Sequence, residues 1–506
     1  MPSPISPFRR DDIARLPSPV AIIRLATKIR LAGAARVCYR GFSMGFAGTF
    51  AIVAVRHRDE EKGMRRLGFV LTVCAWLMAL VSASAAASVR SFANAQAIKW
   101  RGSIVQVDAV MPYYQRNGYN GIWTSNQGLS RRGKELIDVL SDAWLDGLEP
   151  LDYIGGLPAD PGKLRGDELA GLELFLSYGA TRFARDLYGG RTTPAVSEPD
   201  IVIPRKKLDT IALIGSMEKN GPLTVIERLR PPHEQYQALR KALVRTPDPI
   251  AQRRIIVNME RWRWLPRDLG KNHVFVNTAA FLMYVRSNGQ DIDRRKVIVG
   301  QKYHRTPMFS DNIQYSEFNP TWTVTPAIAG NEILPKLRQD PAYLEKRGYD
   351  LYASWQSDAP RMSARQIDWS SVSGSHFPYR IVQPAGPENA LGQVKFLFPN
   401  KFNVYLHDTA NRNLFDQSDR ALSHGCIRVS KPMEFAQILY RLDNNPALGK
   451  LNAIVASRQT KGVNFQRPIP VHLTYFTTWV KDGKVQVFSD VYGRDKLIAD
   501  LLFGRV

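Results

Sequence analysis

The spacing of apolar residues changes once along this chain, and the change limits the folds that the chain can adopt. Between Pro112 and about Arg245, apolar residues recur at intervals of three and four, which indicates amphipathic helices. After about Ile255 they occur in short β-rich runs separated by turn residues. We therefore predict an α+β protein, with a mainly α-helical domain at residues 98–247 and a β-rich, sandwich-like domain at residues 248–460.

Three segments carry the helical pattern most clearly: residues 130–148, 171–190 and 233–245. Ser130 stands directly before the first periodic run, where its hydroxyl can cap the helix N-terminus. No heptads or tandem repeats occur in the chain, which disfavours a coiled coil or a solenoid.

The β-rich half contains two further features. Residues 331–389 are polar, partly helical and then irregular, and we expect this insertion to cap the domain as a lid, with Trp322, Tyr352 and Trp355 as candidate lining residues. Residues 461–506 end in a predicted hairpin with Asp482 and Gly483 in its turn. We expect them to form a C-terminal extension that packs on either domain.

A leader precedes the helical domain. Two arginines after Met64 are followed by an apolar run from Leu67 to Val81 and by small residues, which is the order of a secretory signal within residues 64–97. Cleavage near Ala87 and retention as a membrane anchor both remain open. Residues 1–63 are either a wrongly assigned start, with Met64 as the true one, or a basic cytoplasmic tail. Either interpretation places the chain from Trp100 onward outside the cytoplasm.

The net charge and the cysteine content limit the classes of partner and cofactor that the chain can have. With 69 Lys and Arg against 46 Asp and Glu, the net charge of +23 favours an anionic partner such as nucleic acid, anionic lipid or a cell wall. The leader and the lack of a nucleic-acid-binding motif argue against nucleic acid. Cys426 is the single thiol after the leader, which excludes a disulfide framework and a cysteine-based zinc site. We expect no metal and no cofactor.

The candidate chemistry lies between Asn403 and Val429. Cys426 follows Ser423, His424 and Gly425, and His407 ends an alternating strand sixteen residues before Ser423. A thiol needs a base to become a nucleophile near neutral pH, and an imidazole can serve. Tyr405 shares a strand face with His407, so its hydroxyl is a candidate oxyanion donor, as are the amides of Gly425 and Cys426. His424 has either a structural or a direct role.

These residues resemble the signature of the L,D-transpeptidase (YkuD) family. The resemblance consists of His407, fifteen residues, and Ser423-His424-Gly425-Cys426-Ile427-Arg428. Segments such as ERWRWLP (260–266), TPMFSD (306–311) and YGRD (492–495) are similar to the large YcbB-like branch, and the similarity covers about residues 104–500. That branch usually carries a peptidoglycan-binding module after its helical scaffold domain. Here about ten residues, 246–255, fill the place, so we expect the module to be absent.

The resemblance implies a mechanism and a substrate. Cys426 would be the nucleophile and His407 the general base, oriented by a local carbonyl, because Asp408 points to the opposite strand face. The donor would be a tetrapeptide stem of peptidoglycan, and the product a cross-link between third residues made in the periplasm. Water, a D-amino acid or a lipoprotein lysine are alternative acceptors, so a carboxypeptidase or a hydrolase remains open, as does association with the inner membrane. Arg428 would bind a substrate carboxylate or form a structural ion pair.

Overall fold

The computed structural model describes residues 89–193 and 198–504. The leader of residues 1–63 and the predicted signal or anchor up to residue 88 lie outside these residues. None of the helices described between residues 89 and 504 combines the length and the apolar character needed to span a bilayer.

The N-terminal half is mainly helical, as predicted. Ser130 caps the second helix, with its hydroxyl accepting from the Gly133 amide at 3.0 Å. Two short strand pairs accompany the helices: β1 (Ala97–Trp100) with β2 (Ser103–Gln106), and β3 (Thr124–Ser125) with β4 (Gly128–Leu129). The helices are α1 (Met111–Arg116), α2 (Arg131–Ser141), α3 (Leu151–Ile154), α4 (Gly166–Gly189), α5 (Thr210–Asn220), α6 (Pro222–Leu229), α7 (Glu234–Arg245) and α8 (Pro249–Trp264).

The centre of this half is α4, which is buried along most of its length. Its Glu173 is fully buried and accepts hydrogen bonds from the amides of Ile122, Trp123 and Thr124. Three residues separate the end of α7 from the start of α8. No further folded module fits between these helices, in agreement with the expectation from the sequence.

The second half is built on a nine-stranded sheet with the order β15-β7-β16-β14-β13-β8-β17-β5-β6. The end strand β6 also pairs with β7, the second strand from the other end, so the sheet closes on itself. The strands are β5 (Asn272–Asn277), β6 (Leu282–Ser287), β7 (Gln290–Gly300), β8 (Phe309–Phe318), β13 (Val394–Leu397), β14 (Leu406–His407), β15 (Ala421–Ser423), β16 (Ile427–Val429) and β17 (Lys461–Thr474).

Three helices complete this half. Helix α12 (Pro432–Leu442) packs Phe435 and Leu439 into the core of the sheet, and α13 (Leu451–Ala456) and α14 (Arg494–Phe503) add Ile454 and Ile498 to it. The helical half has its own core, so the two predicted halves are confirmed as an α+β architecture.

The prediction for the C-terminal segment needs correction. Its first fourteen residues form β17, which pairs with β8 on one side and β5 on the other and so lies inside the sheet rather than beyond it. Pro468, Pro470 and a register shift between Asn464 and Ile469 interrupt the alternation that would have identified this strand.

The hairpin predicted after that strand is present, formed by β18 (Thr478–Lys481) and β19 (Lys484–Val487). Both turn residues have positive φ, +51° at Asp482 and +72° at Gly483, which suits a two-residue hairpin turn. It packs on the helical half, where the Gln235 side chain of α7 bonds both backbone groups of Val480.

The insertion is a small subdomain with a core of its own. It contains β9 (Trp322–Thr323), β10 (Asp350–Tyr352), β11 (Arg361–Met362) and β12 (Arg380–Gln383), in the order β11-β10-β12-β9. Its helices are α9 (Pro326–Ile328), a π-helical turn (Ala329–Ile333), α10 (Leu334–Gln339) and α11 (Tyr343–Lys346). Leu337, Leu351 and Trp369 are buried in its core. Our expectation of a region that is irregular after its helix was wrong, because strands of two to four residues are too short to show an alternating pattern.

Candidate active site

Strands β14 and β16 run parallel and bring the two halves of the sequence motif together. His407 is in register with Arg428, and the Ile427 amide donates to the Tyr405 carbonyl at 3.1 Å. Since alternate side chains of a strand share a face, four of the predicted residues project from the same face of the sheet. They are Tyr405, His407, Cys426 and Arg428. Leu406 and Ile427 project from the other face and are fully buried.

The imidazole of His407 is held in one tautomer. The ring is 5% exposed, and its Nδ1 lies 2.5 Å from the Asp408 carbonyl oxygen. With the proton on Nδ1 for this bond, Nε2 is the free acceptor. Burial, followed by the charge of Arg428, lowers the pKa of His407 to about 3, so the ring is neutral at pH 7. Nε2 is therefore the position at which the ring can accept a proton, while the lowered pKa makes the ring a weak base in the free protein.

The side chain of Asp408 points away from this ring, as expected. Its Oδ2 accepts from the Gln393 amide at 2.9 Å and pairs with Arg412 at 3.2 Å. The backbone carbonyl of Asp408, and not its side chain, orients the imidazole, which is the local carbonyl that the resemblance implies.

Cys426 is a free cysteine of intermediate exposure. Burial raises the pKa of the thiol to about 11, and hydrogen bonds from Tyr405 and the charge of Arg428 lower it by less. Sγ also lies 3.8 Å from the Asn403 carbonyl oxygen. The thiol is therefore protonated at neutral pH in the free protein, and its activation requires a base.

Tyr405 touches both reacting groups. Its ring centre is 5.5 Å from that of His407, at an interplanar angle of 61°. Burial, followed by the charge of the nearby Cys426 sulfur, raises the pKa of Tyr405. A phenol that stays protonated remains a hydrogen-bond donor, so it can stabilise the thiolate as well as a developing oxyanion.

The turn before the nucleophile is fixed by Ser423. Its hydroxyl donates to the Cys426 carbonyl at 2.5 Å and accepts from the Gly425 amide at 3.1 Å. The φ of Gly425 is +115°, a conformation that favours glycine. The prediction that the Gly425 amide serves the oxyanion needs correction, because Ser423 occupies that amide. The Cys426 amide has no acceptor within the described part of the chain and remains a candidate oxyanion donor.

Two residues that were not assigned a role from the sequence support the same turn through hydrogen bonds. The buried hydroxyl of Thr306 donates to the Gly425 carbonyl at 2.8 Å and accepts from the Gly300 amide at 2.9 Å. The hydroxyl of Tyr492 accepts from the Thr306 amide at 3.2 Å and donates to the Gly300 carbonyl at 2.7 Å. Both residues lie in segments of family resemblance, TPMFSD and YGRD, and that was the only signal in the sequence.

His424 is turned toward the insertion. Its Nε2 lies 2.5 Å from Oε1 of Glu332 in the π-helical turn, and its ring centre is 4.9 Å from that of His304. The side chain is 34% exposed. This placement gives His424 a contact with the insertion, whereas His407 is the histidine on the face that carries the thiol.

Arg428 makes no ion pair with any residue between 89 and 504 that the structure describes. Its Nε is buried without a hydrogen-bond partner, and burial lowers the pKa of the guanidinium. A structural ion pair would satisfy this group, and the described residues provide none. The guanidinium is therefore free to bind an anionic group of a substrate.

The candidate lid aromatics differ in their surroundings. Trp322 packs against the core of the insertion, and Tyr352 lies under the guanidinium of Arg380 at 4.1 Å. Trp355 is 40% exposed. Among the described residues, no group of three or more His, Cys, Asp or Glu side chains is placed to hold a metal ion.

Comparisons with known proteins give a family match for each half of the chain. Residues 271–449 match the family described as the L,D-transpeptidase catalytic domain (YkuD), and residues 108–243 match the family described as the scaffold domain. A Haemophilus influenzae protein named "Putative L,D-transpeptidase" is 32% identical over 289 residues, which is 56% of this chain and 58% of that relative. An L,D-transpeptidase structure from Mycobacterium smegmatis shares 11% identity over 40% of this chain and 58% of its own, with a TM-score of 0.20.

Proposed function

The chain carries a YkuD-family L,D-transpeptidase catalytic domain on residues 271–449 and a scaffold domain on residues 108–243, and from this premise we propose that it cross-links peptidoglycan stem peptides through an acyl-enzyme on Cys426. The family supports a peptidoglycan L,D-transpeptidase. The observation that carries the finer proposal is the shared sheet face, on which His407, Tyr405 and Cys426 lie together.

The first half-reaction transfers the donor to the enzyme. His407 Nε2 takes the thiol proton as the Cys426 sulfur attacks the carbonyl carbon of the third stem residue. The carbonyl oxygen becomes an oxyanion, for which the Tyr405 hydroxyl and the Cys426 amide are the available donors. When the oxyanion collapses, the bond to the terminal D-alanine breaks, and the amine leaves with the proton from His407. A thioester remains on Cys426.

The second half-reaction forms the cross-link. The side-chain amine of another stem's third residue attacks the thioester carbonyl, the new C–N bond forms and the C–S bond breaks. The proton lost by the amine returns to the sulfur through His407. Water in place of the amine gives a tripeptide, which is the carboxypeptidase alternative.

The product distribution decides between these activities. The chain without residues 1–88 is incubated with defined tetrapeptide muropeptides, and the products are read by mass spectrometry. A dimer that has lost one D-alanine supports the proposed function, and a monomeric tripeptide alone supports the carboxypeptidase.

We further propose that the protein acts in the periplasm, since the order of charges and apolar residues after Met64 is that of a secretory signal. N-terminal sequencing of the exported protein tests this proposal. A new terminus near Ala87 supports cleavage, and an intact leader in the membrane fraction supports an anchor. Recovery in the cytoplasm would contradict both.

A further inference from the structure

A row of four side chains crosses the active-site face at one level. Lys395 of β13 is in register with His407 on one side and with Glu317 of β8 on the other, and His407 is in register with Arg428. Neighbouring strands are about 4.8 Å apart, so the row extends over roughly 15 Å. His407 lies between the strand of the thiol and Lys395.

The Lys395–Glu317 pair is part of this face and remains accessible. Nζ of Lys395 lies 2.9 Å from Oε1 of Glu317, and the side chains are 16% and 23% exposed. The same Nζ is 6.0 Å from the ring centre of Tyr405. The charge of Lys395 lowers the pKa of His407, and the charge of Glu317 raises the pKa of Tyr405. The pair therefore lies within electrostatic reach of the reacting groups.

Cations dominate the immediate surroundings of the base. The charges that shift the pKa of His407 are those of Arg428 and Lys395, both positive, although Glu317 pairs with Lys395. Arg428 lies beside the thiol on β16, whereas Lys395 lies on the other side of His407. A substrate group at Lys395 would thus approach the thioester from the side of the base, which is the approach that an attacking amine needs.

Resting on the proposed function, we propose that Lys395 selects the acceptor by binding a carboxylate carried on the same carbon as the attacking amine, with Glu317 orienting the lysine. Such a carboxylate holds its neighbouring amine next to His407, which must take the amine's proton. The amine then attacks the thioester carbonyl, the C–N bond forms, the C–S bond breaks, and the proton passes through His407 to the sulfur. The preferred acceptor is a diamino acid with a free side-chain carboxylate.

Carboxylate binding has a second effect on the same step. It adds a negative charge next to Lys395 besides that of Glu317, which favours the imidazolium, so His407 becomes a stronger base when this acceptor is bound. Two kinds of acceptor gain neither the placement of the amine nor the stronger base. One has its carboxylate amidated, and the other, such as lysine, has no carboxylate on the carbon that carries the amine.

The test compares two acceptors within each protein. The acyl-enzyme is formed from a tetrapeptide donor, and kcat/KM for cross-linking is measured with two acceptors. In the first, the carbon that carries the attacking amine also carries a free carboxylate. In the second, that carboxylate is replaced by its primary amide. We expect the wild-type protein to prefer the free carboxylate by about tenfold or more, the size of a charge-assisted hydrogen bond. In Lys395→Met the ratio of the two kcat/KM values should fall to about two or less. Lys395→Arg should keep most of the wild-type preference.

The matched control is Lys296, which forms a comparable but exposed pair with Asp416 at 3.5 Å on the same domain. Lys296→Met should keep the wild-type ratio, and Glu317→Gln should reduce it. A fold defect lowers the rates with both acceptors and cancels in the ratio. A wild-type protein that does not discriminate, or a Lys395→Met variant that keeps its discrimination, overturns this inference alone. If no protein forms a dimer with either acceptor, the proposed function itself fails and the inference fails with it.

Discussion

Thr306 and Gly425 are joined by a hydrogen bond of 2.8 Å, from the threonine hydroxyl to the carbonyl of the residue before the nucleophile. This bond connects the start of β8 to the turn that aims Cys426. The Thr306 amide in turn donates to Tyr492, so the C-terminal segment supports the turn as well. The position of the nucleophile thus depends on contacts that are remote in sequence.

Replacing Thr306 by Val keeps the side-chain shape and removes the hydroxyl that bonds both Gly425 and Gly300. We expect the acylation rate to fall by about tenfold, since a misplaced nucleophile loses much of the benefit of orientation. Thr306→Ser keeps the hydroxyl and should retain most of the rate. Single-turnover acylation by a carbapenem measures both variants. Equal rates for the Val and Ser variants would remove Thr306 from the positioning of Cys426.

Cys426→Ala should abolish the covalent adduct with a carbapenem, whose strained amide mimics the donor carbonyl. Intact-protein mass spectrometry of the chain without its leader should show one adduct on the parent protein and none on the variant. The other two cysteines, Cys38 and Cys74, lie in the leader and are absent from this protein. An adduct on the variant would mean that another group is acylated.

His407→Ala should slow acylation by roughly a hundredfold or more, because it removes the base that takes the thiol proton. His424→Ala is the natural comparison, since His424 contacts Glu332 of the insertion instead. It should retain acylation within about tenfold. Stopped-flow measurement of carbapenem acylation gives both rates, and the reverse order of the two effects would exchange the roles of the histidines.

The free protein should show the pH dependence of an unactivated thiol. Burial raises the pKa of Cys426 to about 11, so the thiolate fraction and the rate of alkylation by iodoacetamide should rise about tenfold per pH unit from pH 7 to 10. Tyr405→Phe removes a hydrogen bond that lowers this pKa, so its rate at pH 8 should be lower still. A rate that is constant between pH 5 and 8 would instead indicate a thiolate–imidazolium pair formed before substrate binds.

Removing the insertion should favour hydrolysis over cross-linking, since lids exclude water from reactive intermediates. Strands β9 and β12 are paired, and the Val324 amide bonds the Ile381 carbonyl at 2.9 Å, so an Asn-Gly turn can replace residues 325–380. The ratio of dimer to tripeptide, read by mass spectrometry, should fall. Glu332→Gln is the smaller change for comparison, since it alters the contact with His424 and keeps the insertion. An unchanged ratio in the deletion variant would show that the insertion is not a lid.

The sequence alone predicted the residues whose signal is local. Alternation along residues 403–407 placed Tyr405 and His407 on one face, and the short motif around Cys426 supplied the thiol, so the centre of the site could be predicted. The hydrogen bonds that support the turn could not be predicted, because Thr306 is 119 residues from Gly425 and 186 residues from Tyr492 in the sequence. The Lys395–Glu317 pair depends on strand register, which one-dimensional patterns do not give.

Strand β17 lies between β8 and β5, so it fills an interior position of the sheet with residues that follow Tyr405, His407 and Cys426 in the chain. A growing chain that ends before residue 461 already contains these three residues, yet it cannot complete the sheet that supports them. The sheet is therefore completed only after residues 461–474 have been synthesised. Premature termination anywhere before Thr474 would leave two strands with open edges and would expose the chain to aggregation.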